Sequence, residues 1–271
     1  MNKAIIVDHL ELGDLLKDVS FTLQSGEVVG LISSDSKSSN ALLEVLAGYK
    51  KPTSGFVSVL GFDPYLKSYD FLKQICYLVE KPNLLTEGLT PIEILEITKN
   101  IYGLSDREFN KNLNELSQYV TNIPLLDRLI YKPKVLLINK PDTDIDLLYK
   151  YNKNNESSAL LCFDKIDPLV GQVRRVIVLD GGSLLYDGSI DDLLVNKFST
   201  KNIKVKLTSH IDQKELNEIS PVKKISYPYV YFSAPRSVVS YTAAELIQNF
   251  PIENITIEEL SVEEIIENIK S

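Results

Sequence analysis

Apolar and polar positions along the chain predict an α/β protein organised around residues 28–48 (VVGLISSDSKSSNALLEVLAG). The apolar run 28–32 reads as a buried parallel strand, and the polar stretch 33–40 as a loop. Ala41, Leu42, Leu43, Val45, Leu46 and Ala47 then recur at helical spacing up to Gly48, a natural stop. Strand, polar loop and helix in this order is the layout of a phosphate-binding loop. Upstream, residues 4–7 and 19–23 predict two strands of an antiparallel edge, turning at Gly13 and Asp14. Downstream, strands are expected at 56–60, 75–80, 135–138 and 158–164. A hairpin over 176–188 is expected to turn at Gly181-Gly182. Thr90, Pro91 and Glu93 fit the N-cap, N1 and N3 positions of a helix, and residues 152–158 (NKNNESS) read as an exposed loop.

From about residue 201 the pattern shifts to short alternations at 203–207, 229–232 and 252–257, with helical stretches at 242–250 and 262–269. Ser261 and Glu264 form a capping box before the last helix. The expected organisation is a large domain over 1–200 and a small α+β appendage over 201–271.

Composition narrows the function. A net charge of −8 lacks the basic footprint of a nucleic-acid surface, so no nucleic-acid partner is expected. Cys76 and Cys162 sit in apolar stretches and read as buried reduced thiols, with one hidden disulfide as the alternative. The apolar run near the N-terminus is too short for a signal-peptide core, and no run approaches membrane-spanning length. A cytoplasmic protein is expected, reaching the inner face of the cell membrane only through a partner.

Two stretches in register, DVSFTLQSGEVVGLI and LLEVLAGYKKPTSGFVSVLGFDP, resemble the ATP-binding subunits of ABC transporters, in particular exporter-type subunits that pair with a separate membrane protein. The ending ITIEELSVEEIIENI is similar to the C-terminal tails of such subunits. The resemblance implies an ABC ATPase-like P-loop core with an antiparallel β edge, a reduced helical subdomain opening at 89–95, and the C-terminal appendage.

The resemblance also assigns positions, and the residues there do not match. The family's loop glycines fall on Ser33, Ser36 and Ser38, its phosphate-binding Lys on Ser39 and its Mg²⁺-binding hydroxyl on Asn40. Its metal-binding Asp and catalytic Glu fall on Asn139 and Lys140, its γ-phosphate His on Phe163, and its sensing Gln on Glu80. The D-loop falls on 142–146, with Asp146 at its Asp position, and the LSGGQ-type signature has no counterpart. An amide is a weak Mg²⁺ ligand and an ammonium cannot act as a base.

These positions imply a vestigial nucleotide site with no catalytic residue, no metal and no expected cofactor, weak ATP binding being left open. Two lysines offer compensation. Lys37, two residues early, could make a shifted phosphate contact; the alternative is a polar loop that caps the helix through Ser38, Ser39 or Asn40. Lys140 either points into the vacated site or pairs with Asp35, Asp142 or Asp144. The expected role is an inactive subunit of a membrane transporter complex, partnered by the membrane subunit and by an active ATPase subunit or a second copy of itself. A soluble regulatory or scaffold protein, and an ATP-binding subunit with a rearranged site, are the competing readings.

Overall fold

The computed structural model describes residues 2–79, 88–139, 145–196 and 200–270. Its contacts divide the chain into two compact units, one of Met1–Asp164 with Gly171–Asp187 and one of Lys165–Val170 with Gly188–Ser271.

The first unit begins with β1 (Lys3–Leu12) and β2 (Leu16–Gln24), which pair antiparallel; β3 (Val28–Ser33) follows. Then come α1 (Ser36–Leu46), β4 (Ser54–Val59), the single-turn α2 (Tyr69–Leu72) and β5 (Ile75–Leu78). Three helices, α3 (Pro91–Tyr102), α4 (Asp106–Leu116) and α5 (Ile123–Leu129), lead to β6 (Val135–Asn139). After α6 (Ile145–Asn155) and β7 (Ser158–Phe163), β8 (Arg175–Asp180) and β9 (Ser183–Ser189) complete the sheet.

Strands β2-β1-β4 form a three-stranded antiparallel sheet, and β5-β6-β7-β3-β8-β9 a six-stranded one whose described pairings are parallel. The central strands read as continuous apolar runs because both faces are covered. On β6, Val135 and Leu137 pack into the core shared with α1 and the antiparallel sheet, while Leu136 and Ile138 pack among residues of α3 to α6. On β7, Leu160 and Cys162 face the first core and Ala159 and Leu161 the second. Strand alternation thus feeds two cores from one run of residues. Cys76 lies in the second core and Cys162 in the first; both are buried free thiols, and burial pushes Cys76 up to about 11.

Several local expectations hold to the residue. Thr90 and Glu93 cap α3 reciprocally, with Pro91 at its first position. A second capping box, Ser105 with Glu108, starts α4.

Two expectations are corrected. Helix α1 begins at Ser36 rather than near Ala41, so half of the expected loop is helical. Its N-cap is Asp35, not Ser38, Ser39 or Asn40. No residue over 33–40 has positive φ: Asp35 is extended, and from Ser36 on these residues, without glycines, take the right-handed helical conformation open to them. The expected exposed loop at 152–158 is also wrong. Asn152 and Asn155 belong to α6 and are buried, as are Ser157 and Ser158. Their polar groups are satisfied internally: Asn152 Nδ2 donates to the Gly26 carbonyl at 3.2 Å, and Ser157 Oγ donates to Asn152 Oδ1 at 2.8 Å.

The second unit contains α7 (Ile190–Asn196), β10 (Thr200–Leu207), α8 (Gln213–Ile219), β11 (Val222–Ser226), β12 (Tyr229–Pro235), α9 (Val239–Asn249), β13 (Ile252–Glu258) and α10 (Val262–Lys270). Its antiparallel sheet has the order β11-β12-β10-β13, a split β-α-β arrangement. Ile203, Val205, Val230, Phe232 and Leu246 form its core. Short α8 and β11 went unread in the sequence, β11 because all but its first residue is exposed and shows no apolar alternation. Ser261 and Glu264 form the expected box at α10.

Candidate nucleotide site

The parallel strands bring most of the described site positions to one edge. Strand β3 ends at Ser33, β6 at Asn139 and β7 at Phe163, with Ile32 level with Phe163 and Asn139 level with Cys162. Helix α1 starts two residues beyond β3, so its first turn stands over this carboxyl edge, where open α/β sheets bind ligands. Glu80, Lys140, Asp142 and Asp144 lie outside the described residues. Asp146 is in the first turn of α6.

Polar contacts within the edge are local and closed. Ser34 N–H donates to the Leu179 carbonyl at 3.1 Å, and Gly181 N–H donates to Ser34 Oγ at 3.2 Å, which fastens the start of the loop to β8. Asp35 Oδ1 accepts the Ser38 backbone N–H at 2.7 Å, while its Oδ2 accepts Ser38 Oγ at 2.8 Å. The carboxylate therefore sits at the positive end of α1, where an anion is favoured. Ser39, at the lysine position, is buried and turns its hydroxyl to the Ser36 carbonyl at 3.3 Å. Lys37 is exposed in the first turn of α1, a place where the helix dipole disfavours a cation.

Two amides meet at the positions that correspond to metal ligation. Asn139 Nδ2 donates to Asn40 Oδ1 at 2.5 Å. The other amide atom, Asn139 Oδ1, is buried with no hydrogen-bond partner among the described residues. Phe163 is half-buried against the second core and offers no donor or acceptor from its side chain. Among the described residues no group of three His, Cys, Asp or Glu side chains could hold a metal ion. A Mg²⁺-nucleotide needs carboxylate or hydroxyl oxygens together with free loop N–H groups. The donor set here does not fit it.

No protein-family model matches the chain. In sequence it is 22% identical over 212 residues to the ABC transporter ATP-binding protein NatA of Bacillus subtilis, covering 69% of this chain and 86% of that one. It is 24% identical over 230 residues to the uncharacterized ABC transporter ATP-binding protein YxlF of the same organism, covering 74% and 76%. Among solved structures, an ATP-binding subunit of an ABC transporter superposes with a TM-score of 0.64 at 20% identity, over 71% of this chain and 92% of that one. The chain is thus similar in sequence to ATP-binding subunits of ABC transporters and shares their fold. CbiO1 from Clostridium perfringens, part of a transporter complex, gives a TM-score of 0.58 at 15% identity over 73% and 92%.

A second feature of the first unit involves none of these site positions. A cleft of about 220 Å³ is lined by tyrosines, among them Tyr49, Tyr69, Tyr77, Tyr102 and Tyr131. Tyr102 and Tyr131 stack at 3.6 Å with planes 4° apart, and Tyr131 donates its hydroxyl to the Ile75 carbonyl at 2.9 Å. Burial pushes Tyr77 up to about 12. Sequence reading missed this cleft because its rings come from residues far apart in the chain; the one local signal was the clustering of tyrosine and lysine over 49–73.

Proposed function

We propose that the chain is a catalytically inactive ABC ATPase-like subunit, acting as a structural or regulatory partner in a membrane transporter complex. One observation carries the reading: the would-be phosphate loop is wound into α1 and its free N–H end is occupied by the chain's own Asp35. The Asn40–Asn139 bridge supports it, since it ties up the two positions that would ligate Mg²⁺ with neutral amides. Ser33, Ser36, Ser38 and Ser39 supply neither the glycine curl nor the charge of a phosphate loop, and Phe163 supplies no polar contact.

The preserved sheet and helices then serve as surfaces. Helix α3 leaves Ile97 and Ile101 exposed four residues apart on one face, an apolar strip fit for a partner. The partner in this reading is a transporter membrane subunit, with an active ATPase subunit or a second copy of this chain facing the vestigial site. The protein then works at the cytoplasmic face of the membrane through that partner. Among the described residues no helix is long and apolar enough to cross a membrane. A soluble regulatory role is the second reading, favoured by the missing signature segment.

Equilibrium ATP binding to the purified chain, with and without Mg²⁺, tests the proposal together with a hydrolysis assay. No turnover and no binding at millimolar ATP are expected. Turnover that disappears in Lys37→Ala or Lys140→Ala would revive the rearranged-site reading and sink the inactive one.

A further inference from the structure

The chain is acidic overall, with a net charge of −8, yet residues 49–73 carry four lysines against two aspartates. The same segment holds the two most exposed large apolar side chains of the first unit, Leu66 at 73% and Tyr49 at 64%. Tyr69 is 55% exposed, and Tyr65 and Leu72 are exposed as well. Lysines and tyrosines are paired here: Lys67 lies over Tyr49 at 5.2 Å, Lys51 over Tyr65 at 5.6 Å and Lys73 over Tyr69 at 4.2 Å. Each pair leaves its ring accessible.

This face is held in shape by backbone. Gly48, at φ +78°, lies so close to the turn at Pro64 that a Cβ there would stand 2.1 Å from the Pro64 carbonyl oxygen. The turn carrying Tyr65, Leu66 and Lys67 is thereby fixed against the end of α1. Asp63 is engaged in that turn, its carboxylate accepting the Tyr65 N–H at 3.0 Å. Asp70 is the one remaining aspartate of the segment.

We propose that this tyrosine–lysine face is a contact surface for an anionic phospholipid membrane. Tyrosine rings with one apolar body and one polar tip suit the headgroup layer. Lysines lay their stems along apolar surface while the ammonium meets phosphate. Leu66, at the tip, supplies the group that enters the acyl boundary. The occupant follows from complementarity: a lysine-rich and aromatic face on an acidic protein matches a negatively charged surface with an apolar interior. The inference goes beyond the subunit role and does not depend on whether nucleotide binds.

The full chain should co-sediment with phosphatidylcholine vesicles containing phosphatidylglycerol at low salt, and not with pure phosphatidylcholine vesicles. High salt should release it, since surface charges are screened. Taking about fivefold in partitioning per lysine near an anionic surface, Lys51→Glu with Lys67→Glu should weaken binding at least about 25-fold. Leu66→Ser should weaken it too, with the salt dependence unchanged. All three positions are exposed, and thermal unfolding checks that the variants remain folded. An environment-sensitive dye on Leu66→Cys should shift to shorter wavelength on anionic vesicles. Absence of binding to anionic vesicles at low salt overturns the proposal, as does binding indifferent to the charge reversal. Binding only when the vesicles carry a transporter membrane subunit also overturns it, making the face a protein interface. None of these outcomes bears on the nucleotide assay, so the two proposals fail separately.

Discussion

The interior of the parallel sheet and its carboxyl edge are separated by a single residue step, and they have opposite characters. Leu31, Leu136, Leu137 and Leu160 are fully buried, and each side chain faces one of two dense cores. At the carboxyl ends of the same strands, Ser33, Asn139 and Phe163 carry no charge. Burial on both faces leaves a strand little freedom to change, whereas polar residues at its end are held mainly by hydrogen bonds. At this edge α1 starts at Ser36, the Asp35 carboxylate caps it and the amides of Asn40 and Asn139 are hydrogen-bonded. Packing on both faces holds the described strands, while the described residues at their carboxyl ends bond mainly to one another.

The sharpest way to break this comparison is to damage the interior. Leu137→Ala should cost about 2–5 kcal/mol by denaturant unfolding, since a fully buried leucine leaves a cavity between close-packed neighbours. A loss below about 1 kcal/mol would show that the interior is as permissive as the edge. At the edge, Asn40→Ala should cost about 1 kcal/mol by stranding Asn139 Nδ2. The double variant Asn40→Ala/Asn139→Leu should recover most of that loss, because removing both partners also removes the unpaired Asn139 Oδ1. Asp35→Ala should cost roughly 0.5–2 kcal/mol, the usual value of an N-cap. If Asp35→Ala instead raises ATP affinity from undetectable to measurable, the loop retains more of a phosphate site than its residues suggest.

The smallest effect concerns the two capping boxes. Hydrogen bonds from Thr90 hold the Glu93 carboxyl below its ordinary value, and those from Ser105 do the same for Glu108. A depressed folded-state value means the stabilisation is fully present above the unfolded value near 4.5 and is lost as pH falls through the folded one. Side-chain carboxyl shifts in an NMR titration should show both midpoints below 4.5, and Thr90→Ala should return Glu93 toward it.

Much of the frame was legible in the sequence because its signals are local. The apolar runs of β3, β6 and β7 and the Thr90–Glu93 and Ser261–Glu264 boxes each lie within a few residues. What escaped depends on distance or on absence. The asparagines of α6 read as a polar loop, yet Asn152 bonds a carbonyl 126 residues away, a partner no local pattern announces. The start of α1 was misplaced because serines and an asparagine look like loop, while only the missing positive φ allowed them to become helix. The site positions were placed by the family's register, and which of them would touch could be told only from how β3, β6 and β7 line up.

The Asp35 cap also carries a consequence for binding equilibria. It is a competitor tethered to the helix it occupies, so its local concentration stays constant however dilute the protein. Any anion seeking those N–H groups must displace it first. A cap worth about 1 kcal/mol raises the apparent dissociation constant only about fivefold. An anion that competes for the Ser38 N–H therefore also meets a helix already wound from Ser36 onward.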